Sequence, residues 1–194
     1  MEDRIIGLCV GHSRLLRGRP EGGAVAADGK TNEWNWNSGL ARQIAEVLHD
    51  LHGITALIVD DYGPHGYGEA MRRLGKTLAD EGVSLAVELH FNAAQASANG
   101  HEWLYWNGST KGRLAATELH LAMCKAFPGI KARGVKSLTA KDRGAMFVRE
   151  TWCPAIIAEP FFGSNKKDFA IVSGDRTRLA DAIADGLASA LHRI

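Results

Sequence analysis

The sequence holds only three cysteines, Cys9, Cys124 and Cys153, and no two of them form a CxxC pair. An odd number of scattered thiols argues against a closed disulfide framework. Cys9 and Cys153 sit in or beside apolar runs, where thiols are usually buried and inert. No run approaches the roughly 20 apolar residues that a membrane span needs. The start, Met1-Glu2-Asp3-Arg4, is acidic where a secretory leader would be basic. We therefore expect synthesis in the cytoplasm without a signal peptide, and no membrane insertion. Charge of one sign is also lacking. A formal net charge of +1 gives no general pull towards nucleic acid or anionic lipid, so any partner must be recognised by a site.

Several chemical motifs are absent or incomplete. There is no HExxH, which excludes a zincin helix. Gly29-Lys30-Thr31 and Gly75-Lys76-Thr77 resemble the end of a phosphate-binding loop but lack its upstream glycine. Gly11-His12-Ser13-Arg14-Leu15 follows an apolar run like a nucleophile elbow, yet Leu15 stands where the strained turn needs glycine.

What is present is an ordinary globular composition, 45% hydrophobic and 23% charged, over a length that suits one domain spanning residues 1–194. Apolar runs at 5–10, 54–59, 83–87 and 154–158 read as buried strands, and Gly100 to Trp106 as a further strand with an exposed face. Between them, helical spacing appears from a cap at Thr31 or Asn32 to His52 (Leu40, Ile44, Val47, Leu48, Leu51), from Gly68 to Glu81, from Leu114 to Phe127 and from Arg178 to Leu191. The glycine-rich stretch up to Lys30 reads as a long surface loop, and Gly63-Pro64-His65-Gly66 as a turn. Residues 133–150 are basic and show no period. Asn107-Gly108-Ser109 is a glycosylation sequon by pattern alone. Strands alternating with helices predict a three-layer α/β domain with helices on both sides of one sheet.

Three strand ends and one helix start carry polar groups. His12 follows the first strand, His90 comes at the end of the strand that the run Val83 to Val87 begins, Glu159 ends the last buried strand, and Glu33 lies in the first turn of a helix. Alone, each has a plain structural reading; Glu33, for example, would stabilise a helix dipole by about 0.3–1 kcal/mol. Gathered above one sheet edge they mean more. Two histidines and one carboxylate with an open fourth position make a catalytic zinc site. A further carboxylate beside it can take a proton from water and return it to a leaving amine, so the implied chemistry is amide hydrolysis.

In order and separation, Gly-His12-Ser, Asn-Glu33-Trp-Asn-Trp-Asn, Glu-Leu-His90-Phe-Asn-Ala and Ala-Glu159-Pro-Phe-Phe-Gly-Ser-Asn resemble the zinc-dependent N-acetylmuramoyl-L-alanine amidases (amidase type 3), nearest to phage endolysin catalytic domains. The resemblance implies His12, Glu33 and His90 as ligands of one Zn2+ per chain, and Glu159 as general base and acid. It implies a twisted, mostly parallel or mixed sheet of about six strands flanked by helices, of the phosphorylase/hydrolase-like kind. The substrate would be bacterial peptidoglycan, cut between the lactyl group of muramic acid and L-alanine. A phage or prophage product of this kind would depend on a holin-type pore for release to the wall.

Glu88, Asn92, Ser13 and Arg133 are further candidates for orienting the ligands or touching substrate. Glu88 departs from the family's Ser-x-His-x-Asn pattern and either orients an imidazole or is a solvated carboxylate. The Arg-x-x-x-Ala-Asn signature survives only as Arg72 or Arg73, and no appended wall-binding domain is visible. Two other functions remain open at this point: a zinc endopeptidase cutting within the stem peptide, and a catalytically silent wall-binding module. His65, His101, His120 and His192 have no evident partner.

Overall fold

A computed structural model gives the architecture of residues 4–16, 19–63 and 65–194, with backbone alone at residues 15, 16, 19 and 20. Met1 to Asp3, on which the leader argument rested, and Pro64 of the expected turn lie outside the described residues.

Strand β1 (Ile5–Val10) sends Ile6, Leu8 and Val10 to one face of the sheet and Cys9 to the other, all fully buried. A short antiparallel pair, β2 (Leu15–Leu16) and β3 (Arg19–Pro20), follows. The stretch up to Lys30 is therefore not the structureless loop its glycines indicate. Its backbone is also tied down further on, by a bridge from Val25 to Asn32 and by the Ala27 N–H donating to the Gly163 carbonyl at 2.8 Å.

Helix α1 (Glu33–His52) starts where the Asn32 side chain accepts from the Asn35 N–H, and stops at Gly53, whose φ of 62° is left-handed. Leu40, Ile44 and Leu48 are buried as their spacing predicts, whereas Leu51 in the last turn is 71% exposed. Strand β4 (Thr55–Val59) leads to α2 (Tyr67–Asp80), which buries Met71, Leu74 and Leu78, and then to β5 (Val83–Leu89). Next come β6 (His101–Trp106) and α3 (Thr110–Ala126). Ser109, the third residue of the sequon, caps α3 by accepting from the Gly112 N–H.

The aperiodic stretch after Arg133 holds β7 (Ala132–Leu138) and the short α4 (Met146–Glu150). β7 escapes pattern reading because it is an edge strand. It carries charge and exposes most of its residues, which is how edges resist unwanted pairing. Strand β8 (Ala155–Glu159) is followed by α5 (Lys166–Gly174), also unforeseen, and by α6 (Arg176–Arg193). In α6, Leu179, Ile183, Leu187 and Leu191 are buried, each contributing about 1.5–3 kcal/mol relative to exposure.

Among the described residues, six strands form one mixed sheet in the order β4-β1-β5-β8-β6-β7. β4, β1, β5 and β8 run parallel, β6 is antiparallel to β8, and β7 follows β6. On one face α1, α3 and α6 close a core around Leu8, Val87, Trp103 and Ile156. On the other, α2 and α4 pack Met71, Leu74 and Phe147 against Cys9, Ala86 and Ile157. This is the expected three-layer α/β arrangement. The carboxyl ends of β1, β5 and β8 are neighbours at one rim. Because β6 runs the opposite way, its first residues reach the same rim, and Glu102 sits opposite Glu159.

Candidate active site

His12 is the described non-glycine residue with positive φ, 66°. Left-handed backbone is costly for such a residue and persists where surrounding contacts enforce it. Gly11 before it is packed so closely that a Cβ there would lie 2.2 Å from Cε1 of His90. Gly23, with φ of 72°, would bring a Cβ to 2.6 Å from the His12 ring and 2.7 Å from Glu33 Oε2. Glycine is required at both positions so that three segments can converge.

They converge on Glu33. Its buried carboxylate lies 3.2 Å from Nε2 of His12 and 2.8 Å from Nδ1 of His90, and accepts from the N–H groups of Ala24 at 3.1 Å and Phe91 at 3.2 Å. Burial alone would raise its pKa, but the hydrogen bonds from His12 and His90 bring the carboxyl down to about 2. One ligand atom from each of His12, Glu33 and His90 lies within 4.8 Å of the other two.

The far side of each imidazole is held by another carboxylate. Glu21 Oε1 accepts from His12 Nδ1 at 2.7 Å, while its Oε2 accepts from the Ser13 N–H at 3.0 Å. Glu88 Oε2 lies 3.2 Å from His90 Nε2, and its Oε1 accepts from the Tyr62 hydroxyl at 2.9 Å. Each ring therefore lies between two carboxylates, with Glu21 and Glu88 placed to accept the protons of His12 Nδ1 and His90 Nε2. His12 Nε2 and His90 Nδ1 are then the nitrogens turned to Glu33. Glu88 is 2% exposed, which removes its reading as a solvated carboxylate. Burial disfavours charge on both rings, yet the neighbouring acids raise both pKa values, His90 well above its ordinary range.

Glu159 lies on the adjacent strand with Oε2 buried and without a hydrogen-bond partner. Burial is the main reason its carboxyl is pushed up to about 8. Asn92 and Arg133 bind a different carboxylate on the rim. Both attach to Glu102, through Asn92 Nδ2 at 2.9 Å and Arg133 Nε at 2.6 Å. Ser13 is buried, and its backbone amide donates to Glu21.

A second group, His101, His120 and Cys124, also brings ligand atoms within 4.8 Å of one another, although the two histidines show no partner in the sequence. It does not fit a metal. The buried indole of Trp103 donates to His101 Nδ1 at 2.9 Å, so Nε2 must carry the proton and faces the Cys124 sulfur at 3.8 Å. In the first group, by contrast, Glu21 and Glu88 can each hold a ring proton on the outer nitrogen, which frees the inner nitrogens to act as ligands.

The N-acetylmuramoyl-L-alanine amidase family model matches residues 6–189. The chain belongs to this family. No curated protein sequence matches the amidase. Solved structures do: the catalytic domain of the CD27L endolysin targeting Clostridia difficile is 24% identical, with a TM-score of 0.76 over 98% of this chain and 97% of that one. A putative N-acetylmuramoyl-L-alanine amidase from Neisseria meningitidis is 25% identical, with a TM-score of 0.75 over 99% and 98%. The Ami1 amidase from Mycobacterium smegmatis is 17% identical, with a TM-score of 0.78 over 98% of each chain. These likenesses agree with the three-layer fold. Sequence reasoning missed two residues of the amidase's polar rim, Glu21 and Glu102. Neither follows a buried strand, and Glu21 sits in the glycine-rich stretch that has no period to place it.

Proposed function

We propose that residues 1–194 act as one catalytic amidase domain that hydrolyses the amide between the lactyl group of N-acetylmuramic acid and L-alanine in bacterial peptidoglycan. His12, Glu33 and His90 would hold one zinc ion per chain. The observation that carries this reading is the convergence of those three side chains within 4.8 Å. The donor chemistry fits: two imidazoles, each with its remote nitrogen on a carboxylate, and a single carboxylate ligand are the open set of a catalytic zinc rather than the closed, cysteine-rich set of a structural one. When bound, the metal would polarise the amide carbonyl and lower the pKa of the attacking water to about 7.

The protein's own groups do the remaining work. Glu159 would remove a proton from the attacking water and return it to the amine of the departing peptide. A carboxyl pushed up to about 8 has both protonation states within reach near neutrality, as a group that acts in turn as base and acid requires. Glu33 stays ionised over the same range, since its pKa lies near 2. Glu21 and Glu88 fix the ring orientations, so that neither histidine has to reorganise during turnover.

The endolysin setting belongs to the same proposal and rests on the Gly11-His12-Ser13 resemblance. There the protein would be made in the cytoplasm, pass a holin-type pore and act on the wall after release. No helix of the described residues is long and apolar enough to cross a membrane.

The test is zinc content together with the products released from purified sacculi. Wild-type protein should carry about one zinc per chain and release intact stem peptides that begin with L-alanine, seen by mass spectrometry. Glu159→Gln should keep the metal and lose hydrolysis, and His90→Ala should lose the metal. Full activity of the Glu159 variant would overturn the assigned mechanism. New internal peptide termini would instead indicate the endopeptidase, and zinc-free protein whose effect ignores chelators the silent wall-binding module.

A further inference from the structure

Next to the ligand cluster the rim carries a charge arrangement that hydrolysis itself does not use. Glu102, at the start of β6, is 8% exposed and pairs across the sheet with Glu159. Its Oε2 accepts from Arg133 Nε at 2.6 Å and from Lys136 Nζ at 2.5 Å, both on the edge strand β7, while Oε1 accepts from Asn92 Nδ2 at 2.9 Å. Two cations thus share one carboxylate oxygen, leaving the trio with one positive charge in excess.

Both cations are held in place and remain open to solvent. The Arg133 guanidinium lies 5.0 Å from the centre of the Phe162 ring, three residues beyond Glu159, and its side chain is 31% exposed. The Lys136 side chain is 44% exposed, and Glu102 is the acceptor the structure gives its ammonium, so donors remain for a further group. Alternation along β6 and the register of β6 with β7 put Glu102, Leu104 and Lys136 on the face that also carries Glu88 and Glu159. The order across that face is Glu88, Glu159, Glu102, Lys136.

We propose that Arg133 and Lys136, preset by Glu102, form a subsite for a carboxylate of the substrate peptide on the leaving-amine side of the scissile bond. This rests on the amidase reading above. The spacing suits it. From β8, which carries the proton-transfer group, to β7 is two strand spacings, about 10 Å. From the scissile nitrogen, a carboxylate on the second residue of the peptide lies about 7–8 Å away along an extended chain. An anion placed there neutralises the surplus charge of the trio, and the sharing of Glu102 keeps both cations ordered before substrate arrives, which lowers the entropic cost of binding.

The experiment compares soluble muramoyl peptides that differ only in carrying a free carboxylate or a carboxamide on the residue after L-alanine. Wild-type zinc-loaded protein should prefer the carboxylate by about tenfold in kcat/KM, carried by KM. Lys136→Gln is the informative variant, because Arg133 still pairs with Glu102 and no buried charge is orphaned. It should bring the preference close to one, and added salt should do the same in wild type. A wild-type enzyme that cleaves both substrates equally, or a Lys136→Gln variant that keeps the full preference, overturns the subsite. A preference lost through kcat rather than KM also overturns it, since that result assigns the trio to tuning of Glu159. If wild type cleaves neither substrate, the amidase reading itself fails.

Discussion

Glu21 Oε1 accepts from Nδ1 of His12 at 2.7 Å, although the two lie on opposite sides of a short hairpin and nothing in the sequence pattern links them. That contact fixes which nitrogen of His12 faces Glu33. It also stabilises an imidazole whose backbone is held in the left-handed region. Glu21→Ala should therefore weaken zinc binding by about 10–100-fold, measured by competition with a chelator of known affinity. Glu21→Gln keeps an acceptor at the same reach and should lose less. Equal affinity in wild type and Glu21→Ala would mean that His12 is oriented by its backbone alone.

Gly11 gives a steric prediction. A Cβ there would fall 2.2 Å from Cε1 of His90, and the ring cannot retreat without leaving both Glu33 and Glu88. Gly11→Ala should lower stability by about 1–3 kcal/mol in urea unfolding and abolish stoichiometric zinc binding. Gly29→Ala serves as the comparison, since its φ of 71° strains any side chain but a Cβ there meets nothing within 4 Å. It should cost stability and leave the metal site intact. If both variants bound zinc alike, the close packing at Gly11 would have no bearing on the site.

How much of this was legible in the sequence follows from which signals are local. β1, β5 and β8 are buried on both faces, so their apolar runs stand out, and each delivers its polar residue at a chain position that can be read off. α1 is equally local, with Gly53 as stop and Thr31 or Asn32 as cap, between which the structure selects Asn32. β7 was not legible, because an edge strand bearing Arg133 and Lys136 has neither an apolar run nor a clean alternation. The hairpin of β2 and β3 is too short for any period. Glu88, two residues before His90 on the same strand, could be named as a partner of the imidazole, whereas Glu21 and Glu102 owe their roles to contacts between separate segments, for which a sequence gives no register. The same holds for the contact of His101 with Cys124, which forms only when α3 packs on β6.

His101 carries the last prediction, which concerns stability and not activity. Burial, helped by the nearby His120, holds its pKa down to about 4, against about 6.5 for an exposed histidine. Between those values the unfolded chain binds a proton at this position and the folded protein does not. The stability it contributes is therefore present at neutral pH and lost as pH falls from about 6.5 towards 4. His120, also lowered by burial, acts with the same sign. His101→Asn keeps an acceptor near the Trp103 indole and cannot titrate. The variant should be less stable than wild type at pH 7, yet lose about 2 kcal/mol less than wild type between pH 7 and pH 4.5 in urea unfolding. Parallel losses in the two proteins would show that His101 is protonated in the folded state, which the donated Trp103 N–H at 2.9 Å opposes.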